Sequence, residues 1–193
     1  MKIASSPNKG SLEVICGPMF SGKSEELIRR IKRAQLAKLS VVVFKHRFDN
    51  RSTLQHVRSH DGRLSPAHAV DNPQQFFDYV TSTTLVVAID EIQFFSNDIV
   101  PIVCQLIDSG KRVIVSGLDL DFKNNPFGCM PLLLAIADHV TKLKAICMDC
   151  GSEAQCTQRL VNGNPARYDD PLILVGAQEQ YQARCRNCHS IGI

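Results

Sequence analysis

No apolar run in the chain approaches the length of a membrane span, and Met1–Gly10 has no signal-peptide core. The expectation is a soluble, cytoplasmic protein with no membrane partner. An excess of one charge sign is also missing: the net charge of +3 is too small to point to nucleic acid and fits anionic small ligands. There is no internal repeat and no low-complexity tract. Without a secretion signal, disulfides are disfavoured among the eight cysteines. What remains is 193 residues, 44% hydrophobic, enough for one domain with a sizeable core and a small appendage.

Four apolar, β-branched-rich runs stand out: Leu12–Cys16, Val41–Phe44, Leu85–Ile89 and Arg112–Ser116. Near-continuous hydrophobicity is what a strand buried on both faces of a parallel sheet requires. Helical patterns alternate with them. Between Ser24 and Lys38, Leu27, Ile28, Ile31 and Ala34 recur at helical spacing, with Lys and Arg on the other face. Asn72-Pro73 supplies a cap and a first-turn proline before Phe76, Phe77 and Val80. Asp98–Asp108 is a further helical pattern, closed by Ser109-Gly110. The alternation predicts an α/β sheet with ligands at the carboxyl ends of its strands. Two segments break it. Lys45–Asp71 is long, polar and rich in Arg and His, a disordered insertion or a functional flap. After Asp138 come short strand-like pieces, cysteine pairs and a Gly/Asn/Pro/Asp-rich stretch, which sets a boundary between residues 1–140 and 141–193.

The first strand runs into Gly17-Pro18-Met19-Phe20-Ser21-Gly22-Lys23-Ser24, the pattern G-x-x-x-x-G-K-S. A glycine-framed loop between strand and helix aims backbone N–H groups and the helix N-terminus at phosphate, so the segment reads as a nucleotide site. Lys23 would reach the β/γ-phosphates, and the Ser24 hydroxyl would help hold Mg²⁺. Val86–Glu91 is an apolar strand ending in two acids. Asp90 would bind Mg²⁺ opposite Ser24. By strand alternation Glu91 would face the acceptor and take a proton from an attacking hydroxyl or water. These two motifs serve a kinase and a hydrolase equally, and the choice depends on an acceptor pocket that closes against water.

Cys147-x-x-Cys150 and Cys185-x-x-Cys188 offer four thiolates for tetrahedral Zn²⁺, with residues 152–184 as a loop pinned at its base. A redox motif and ordinary buried thiols are the rival readings. His189 is a further possible ligand. Cys16, Cys104 and Cys129 lie in or near apolar runs and read as structural thiols.

Taken together, Gly17–Ser24, Ile89-Asp-Glu-Ile-Gln-Phe-Phe95, Gly117-Leu-Asp-Leu-Asp-Phe122, Pro126-Phe-Gly128, Cys147-x-x-Cys150 and Tyr181-x-x-x-Cys-Arg-x-Cys188 resemble the type II, cytosolic-type thymidine kinases, in order from about Leu12 to His189. The resemblance implies a RecA-like P-loop parallel sheet with helices on both faces, plus a small zinc-binding lobe carrying a lasso loop over the thymidine base. It implies transfer of the ATP γ-phosphate to the 5′-hydroxyl with Mg²⁺ present, a homotetramer, and feedback inhibition by dTTP. Residue by residue, Glu91 falls on the family's general base and Arg51 on an arginine of the phosphate-contacting flap. Met19, Phe94, Leu118, Phe122, Phe127, Thr157 and Tyr181 fall on nucleoside-pocket positions. Val175 and Gly176, in a lasso of about Asn162–Tyr181, would bring backbone groups to the thymine edge. An aromatic slot built from Phe94, Phe122 and Phe127 suits a flat pyrimidine on physical grounds as well. Ala177 after Gly176, Ser52 after Arg51 and His189 at the end of the cysteine motif depart from the family pattern. Two other classes compete. One is a P-loop ATPase whose zinc ribbon binds nucleic acid, although the tail lacks the Lys/Arg and aromatic interleaving such a binder uses. The other is a nucleotide-gated regulatory module without catalysis.

Overall fold

Strands β1 (Ser11–Cys16), β2 (Val41–His46), β3 (His56–Arg58), β4 (Leu64–Pro66), β5 (His68–Val70), β6 (Val86–Asp90), β7 (Arg112–Gly117) and β8 (His139–Lys142) make up the first three quarters of the chain, with helices α1 (Lys23–Leu36), α2 (Ile99–Asp108) and α3 (Met130–Ile136). The tail holds β9 (Ala145–Ile146), β10 (Glu153–Ala154), β11 (Cys156–Val161), β12 (Asn164–Pro165) and β13 (Glu179–Arg184). This computed structural model describes residues 9–47, 56–58, 64–172 and 179–192. The expected sites Arg51, Val175 and Gly176 lie outside those residues.

The α/β expectation holds. A six-stranded sheet runs in the order β5-β2-β6-β7-β1-β8, and every pairing in it is parallel. The four apolar runs are its four central strands. Alternation sorts their side chains between two cores. Leu12, Val14, Val87, Ile89, Val113 and Val115 join Ile99, Ile102, Val103 and Leu106 of α2 and Met130 and Leu133 of α3 on one face. Ile15, Val43, Val86, Ala88 and Ile114 meet Leu27, Ile28, Ile31 and Ala34 of α1 on the other. Helices therefore cover both faces, and because all strands are parallel their carboxyl ends gather along one rim.

The punctuation acts as the residue types dictate. Asn72 caps a short 3₁₀ helix, Pro73–Asp78, through a capping box: its side chain accepts from Gln74 N–H, and the Gln75 side chain reaches back to the Asn72 N–H. Gly110, at φ 82°, ends α2 with its N–H on the Ile107 carbonyl. The polar segment Lys45–Asp71 contributes more strand than its composition suggested. Lys45 and His46 finish β2, β3 pairs with β4, and β5 adds the outermost strand beside β2.

In the tail, β9 pairs with β10, and β11 is flanked by β12 and β13, all antiparallel. Asn162 and Gly163 both adopt positive φ, 52° and 81°, and turn β11 tightly into β12. The small core here is Ala145, Cys147, Ala154, Ala183 and Cys185, with Cys188 against it.

Candidate active site

The loop from Gly17 to Gly22 leaves β1 and enters α1 at the carboxyl rim. Gly17 has φ 142°, and a Cβ there would lie 2.4 Å from the Leu143 carbonyl oxygen, so only glycine fits. Gly22, at φ 84°, is the residue before α1. Ser21 Oγ donates to the Pro18 carbonyl at 2.8 Å, and Lys23 Nζ donates to the same carbonyl at 2.7 Å. The lysine thus folds back across its own loop, at the mouth that the first N–H groups of α1 face. Phe20 projects outward, 44% exposed.

Opposite the loop, β6 delivers Asp90 fully into the interior. Ser24 Oγ donates to its Oδ2 at 3.0 Å, and Ser116 Oγ, from the end of β7, donates to Oδ1. The predicted pair Ser24 and Asp90 is therefore in direct contact. Ser116 had no sequence signal of its own, being merely the last polar residue of an apolar run.

Glu91 leaves the strand by a route that alternation does not describe. β6 stops at Asp90, and Glu91 takes the left-handed conformation, φ 52° and ψ 43°, before the 3₁₀ turn Ile92–Phe94. The two carboxylates diverge because of that turn rather than because of the pleat. A non-glycine residue held there stores about 1–3 kcal/mol, a feature concentrated at functional sites. Gln93 Nε2 donates to Glu91 Oε2 at 2.5 Å, and Gln93 Oε1 accepts the Leu118 N–H at 3.1 Å.

Of the expected nucleoside-pocket residues, Leu118, Phe94 and Phe127 lie around this turn, and the others are placed by contacts with the tail. Phe94 and Phe127 meet edge to face at 6.1 Å, and His46 lies 6.2 Å from Phe94. Met19 N–H donates to Thr157 Oγ1 at 3.0 Å, which joins the phosphate loop to the tail. Phe122 is buried beneath the tail, with the Arg159 guanidinium 5.1 Å and the Lys123 ammonium 5.3 Å from its ring centre. Tyr181 sits across from Arg159 in the β11–β13 register. Arg159, fully buried, donates to the Pro171 carbonyl.

The four cysteines of the two pairs come together, with all their sulfurs within 4.8 Å of one another. Cys150 and Cys185 sulfurs are 3.6 Å apart, close to the edge of a tetrahedron with zinc–sulfur bonds of about 2.3 Å. Burial raises the Cys147 thiol, but backbone N–H donors of Cys185, Cys150 and Asp149 outweigh it and leave it at about 6. The Ser152 hydroxyl and N–H lower Cys150, while hydrogen bonds with Cys150 and Cys185 push Cys188 upward. Four crowded sulfurs sharing protons in this way are a donor set that a soft divalent cation fits. His189 does not join them. Its Nδ1 meets Asn124 Nδ2 at 3.0 Å and its Nε2 meets the Phe122 carbonyl at 2.9 Å, so both ring nitrogens serve to fasten the loop that carries Phe122. Burial lifts Cys16 and Cys129 to about 11, in keeping with structural thiols.

A protein-family model described as thymidine kinase matches residues 10–189. The chain belongs to the thymidine kinase family. It is accordingly an enzyme, a transferase that phosphorylates thymidine with ATP as donor, and the match spans both the phosphate loop and the cysteine cluster. Among the described residues no helix is long and apolar enough to cross a membrane.

Proposed function

We propose that the enzyme transfers the ATP γ-phosphoryl group to the 5′-hydroxyl of thymidine, giving dTMP for nucleotide salvage in the cytoplasm, with deoxyuridine as a second substrate. The observation that carries this reading is the divergence of two neighbouring carboxylates. Asp90 is tied to Ser24 of the phosphate loop, while Glu91 turns away beside Gln93 toward the Leu118, Phe94 and Phe127 side. Gly17, Pro18, Met19, Phe20, Ser21, Gly22, Lys23 and Ser24 cradle the triphosphate, and Lys23 exchanges the Pro18 carbonyl for phosphate oxygens. Ser24 and Asp90 are oxygen donors that suit Mg²⁺, which when bound neutralises charge on the β- and γ-phosphates. Glu91 accepts the 5′-hydroxyl proton as the O5′–Pγ bond forms and the bond from Pγ to the β-phosphate oxygen breaks, releasing ADP. Arg51 offsets charge on the transferring group. Phe94, Phe122, Phe127, Met19, Leu118, Thr157 and Tyr181 wall the nucleoside, and Val175 and Gly176 read the thymine edge. A pocket that accommodates the 5-methyl group admits its absence at modest cost, hence deoxyuridine.

In the same reading residues 1–140 form the ATP-binding unit and 141–193 a zinc-tethered lid, with β8 at the seam. Cys147, Cys150, Cys185 and Cys188 are its zinc ligands. Assembly as a homotetramer and feedback inhibition by dTTP belong to it too, and rest on the family resemblance.

Incubation with ATP, Mg²⁺ and each nucleoside tests the proposal directly. Thymidine and deoxyuridine should be phosphorylated, and Glu91→Gln should lower kcat by about 10²–10⁴-fold while ATP and thymidine still bind. Near-normal turnover by that variant would remove Glu91 from the base role. ATP hydrolysis stimulated by nucleic acid, without dTMP formation, would favour the ATPase alternative.

A further inference from the structure

We infer that Gln93 is the positioning residue that aims the Glu91 carboxylate and ties its orientation to the wall of the nucleoside pocket. The inference rests on the reading of Glu91 as the general base.

A base that leaves its strand through a left-handed residue has no ladder to orient it. Backbone geometry at φ 52° sets where the Glu91 side chain starts, and three further rotatable bonds decide where its oxygens finish. Asp90, one residue earlier, has both carboxylate oxygens engaged by hydroxyls, from Ser24 and Ser116. For Glu91 a corresponding constraint comes from Gln93, two residues on. The Nε2 contact to Oε2 at 2.5 Å is short and charge-assisted, the kind of hydrogen bond that fixes the plane of a carboxylate.

Gln93 suits this task because it is itself held. It is 3% exposed and lies in the 3₁₀ turn Ile92–Phe94. Its Oε1 accepts the Leu118 N–H, which settles the amide orientation: with oxygen toward a backbone donor, nitrogen must face Glu91. Its backbone is packed against Gly128, where a Cβ would stand 2.5 Å from the Gln93 carbonyl oxygen. One side chain therefore spans from the base to the backbone of Leu118. A nucleoside that presses on Leu118 and a proton that moves to Glu91 are connected through a single amide. Misorienting a base by a fraction of an ångström loses near-attack geometry without disturbing the phosphate loop.

A double-mutant cycle tests this. Gln93→Met keeps length and apolar bulk but removes both hydrogen bonds; Gln93→Glu keeps the acceptor for Leu118 and replaces the amide donor with a carboxyl that must share a proton with Glu91. Both should lower kcat about 10–100-fold with KM for ATP unchanged, and only Gln93→Met should also raise KM for thymidine. Combined with Glu91→Gln, Gln93→Met should cause no further loss of kcat beyond about twofold, because there is no longer a base to aim. Equal fold losses in the wild-type and Glu91→Gln backgrounds would overturn the inference, since Gln93 would then act independently of Glu91. Wild-type kcat in both Gln93 variants would overturn it as well. Active Glu91→Gln enzyme instead removes the base assignment, and the inference falls with it. Gln93→Met, which buries no new charge, covers the case in which Gln93→Glu fails to fold.

Discussion

Glu13 sits in the middle of an apolar strand, where its charge has to be matched or neutralised. It is matched twice: Arg30 of α1 and Arg112 of β7 each approach its carboxylate to 2.6 Å. Burial alone would raise this carboxyl, but the Arg112 and then the Arg30 hydrogen bonds and charges outweigh it and hold it below its ordinary value of 4.5. A folded-state value below the unfolded one means that the stabilisation is fully present above about pH 4.5 and is lost as pH falls through the lower folded value. Glu13→Gln should therefore cost about 1 kcal/mol at pH 7, because Arg112 loses its carboxylate partner and Arg30 is left with Glu26 alone. The difference from wild type should shrink as pH falls below about 4.5 and through the lower folded value. Urea unfolding across that acid range measures this; a deficit that stays constant as pH falls would show that packing, not charge, makes Glu13 matter. Residues of this kind mark how far single positions can be read from sequence. The P-loop was legible because its spacing encodes its geometry. Gln93 and Ser116 were not: Ser116 meets Asp90 from 26 positions away, and Gln93 joins its near neighbour Glu91 to Leu118, 25 positions on, only once the chain folds.

At the scale of elements, hydrophobic runs identified the four central strands because parallel strands buried on both faces cannot be polar. The edge strands obey no such rule. β8 shows the pattern exposed, exposed, intermediate, exposed, and β5 is a three-residue strand inside a polar segment. Backbone pairing to β1 and β2 recruits them, and their side chains hold little record of it. Glu91 illustrates the same limit: a period-2 argument describes a strand, and the strand ends at Asp90, so the left-handed turn at Glu91 sets its course instead. The contact between elements that most needs testing is Met19 N–H to Thr157 Oγ1, one hydrogen bond between the phosphate loop and β11. Thr157→Val keeps the shape and removes the acceptor. It should lower stability by about 1 kcal/mol and raise KM for thymidine several-fold, while leaving kcat at saturation near wild type. Unchanged KM would mean that the loop and the tail do not communicate through this bond.

The whole molecule joins a well-filled sheet to a tail with little apolar mass of its own. The main cores contain aromatic and branched aliphatic side chains on both faces of the sheet. The cluster in the tail is alanine and cysteine. Each alanine methyl contributes less than about 1 kcal/mol on burial, far too little to offset the entropy of ordering β9, β10 and the cysteine turns. Cohesion there has to come from elsewhere, and the four converging sulfurs are the available source. The paired C-x-x-C spacing made this legible before folding. The lobe's attachment through Thr157, Arg159 and His189 was not legible, because those contacts go to Met19, Phe122 and Asn124 in distant segments. About one zinc per chain is therefore expected by elemental analysis. Removing it with a chelator should speed amide exchange across β9, β10 and the Cys147–Cys150 and Cys185–Cys188 turns, while β1, β6 and β7 stay protected. Thymidine phosphorylation should fall before ATP binding does, because the phosphate loop belongs to the sheet and Thr157 and Tyr181 belong to the tail. A metal-free protein that keeps full protection in the tail and full activity would show that packing alone holds this lobe.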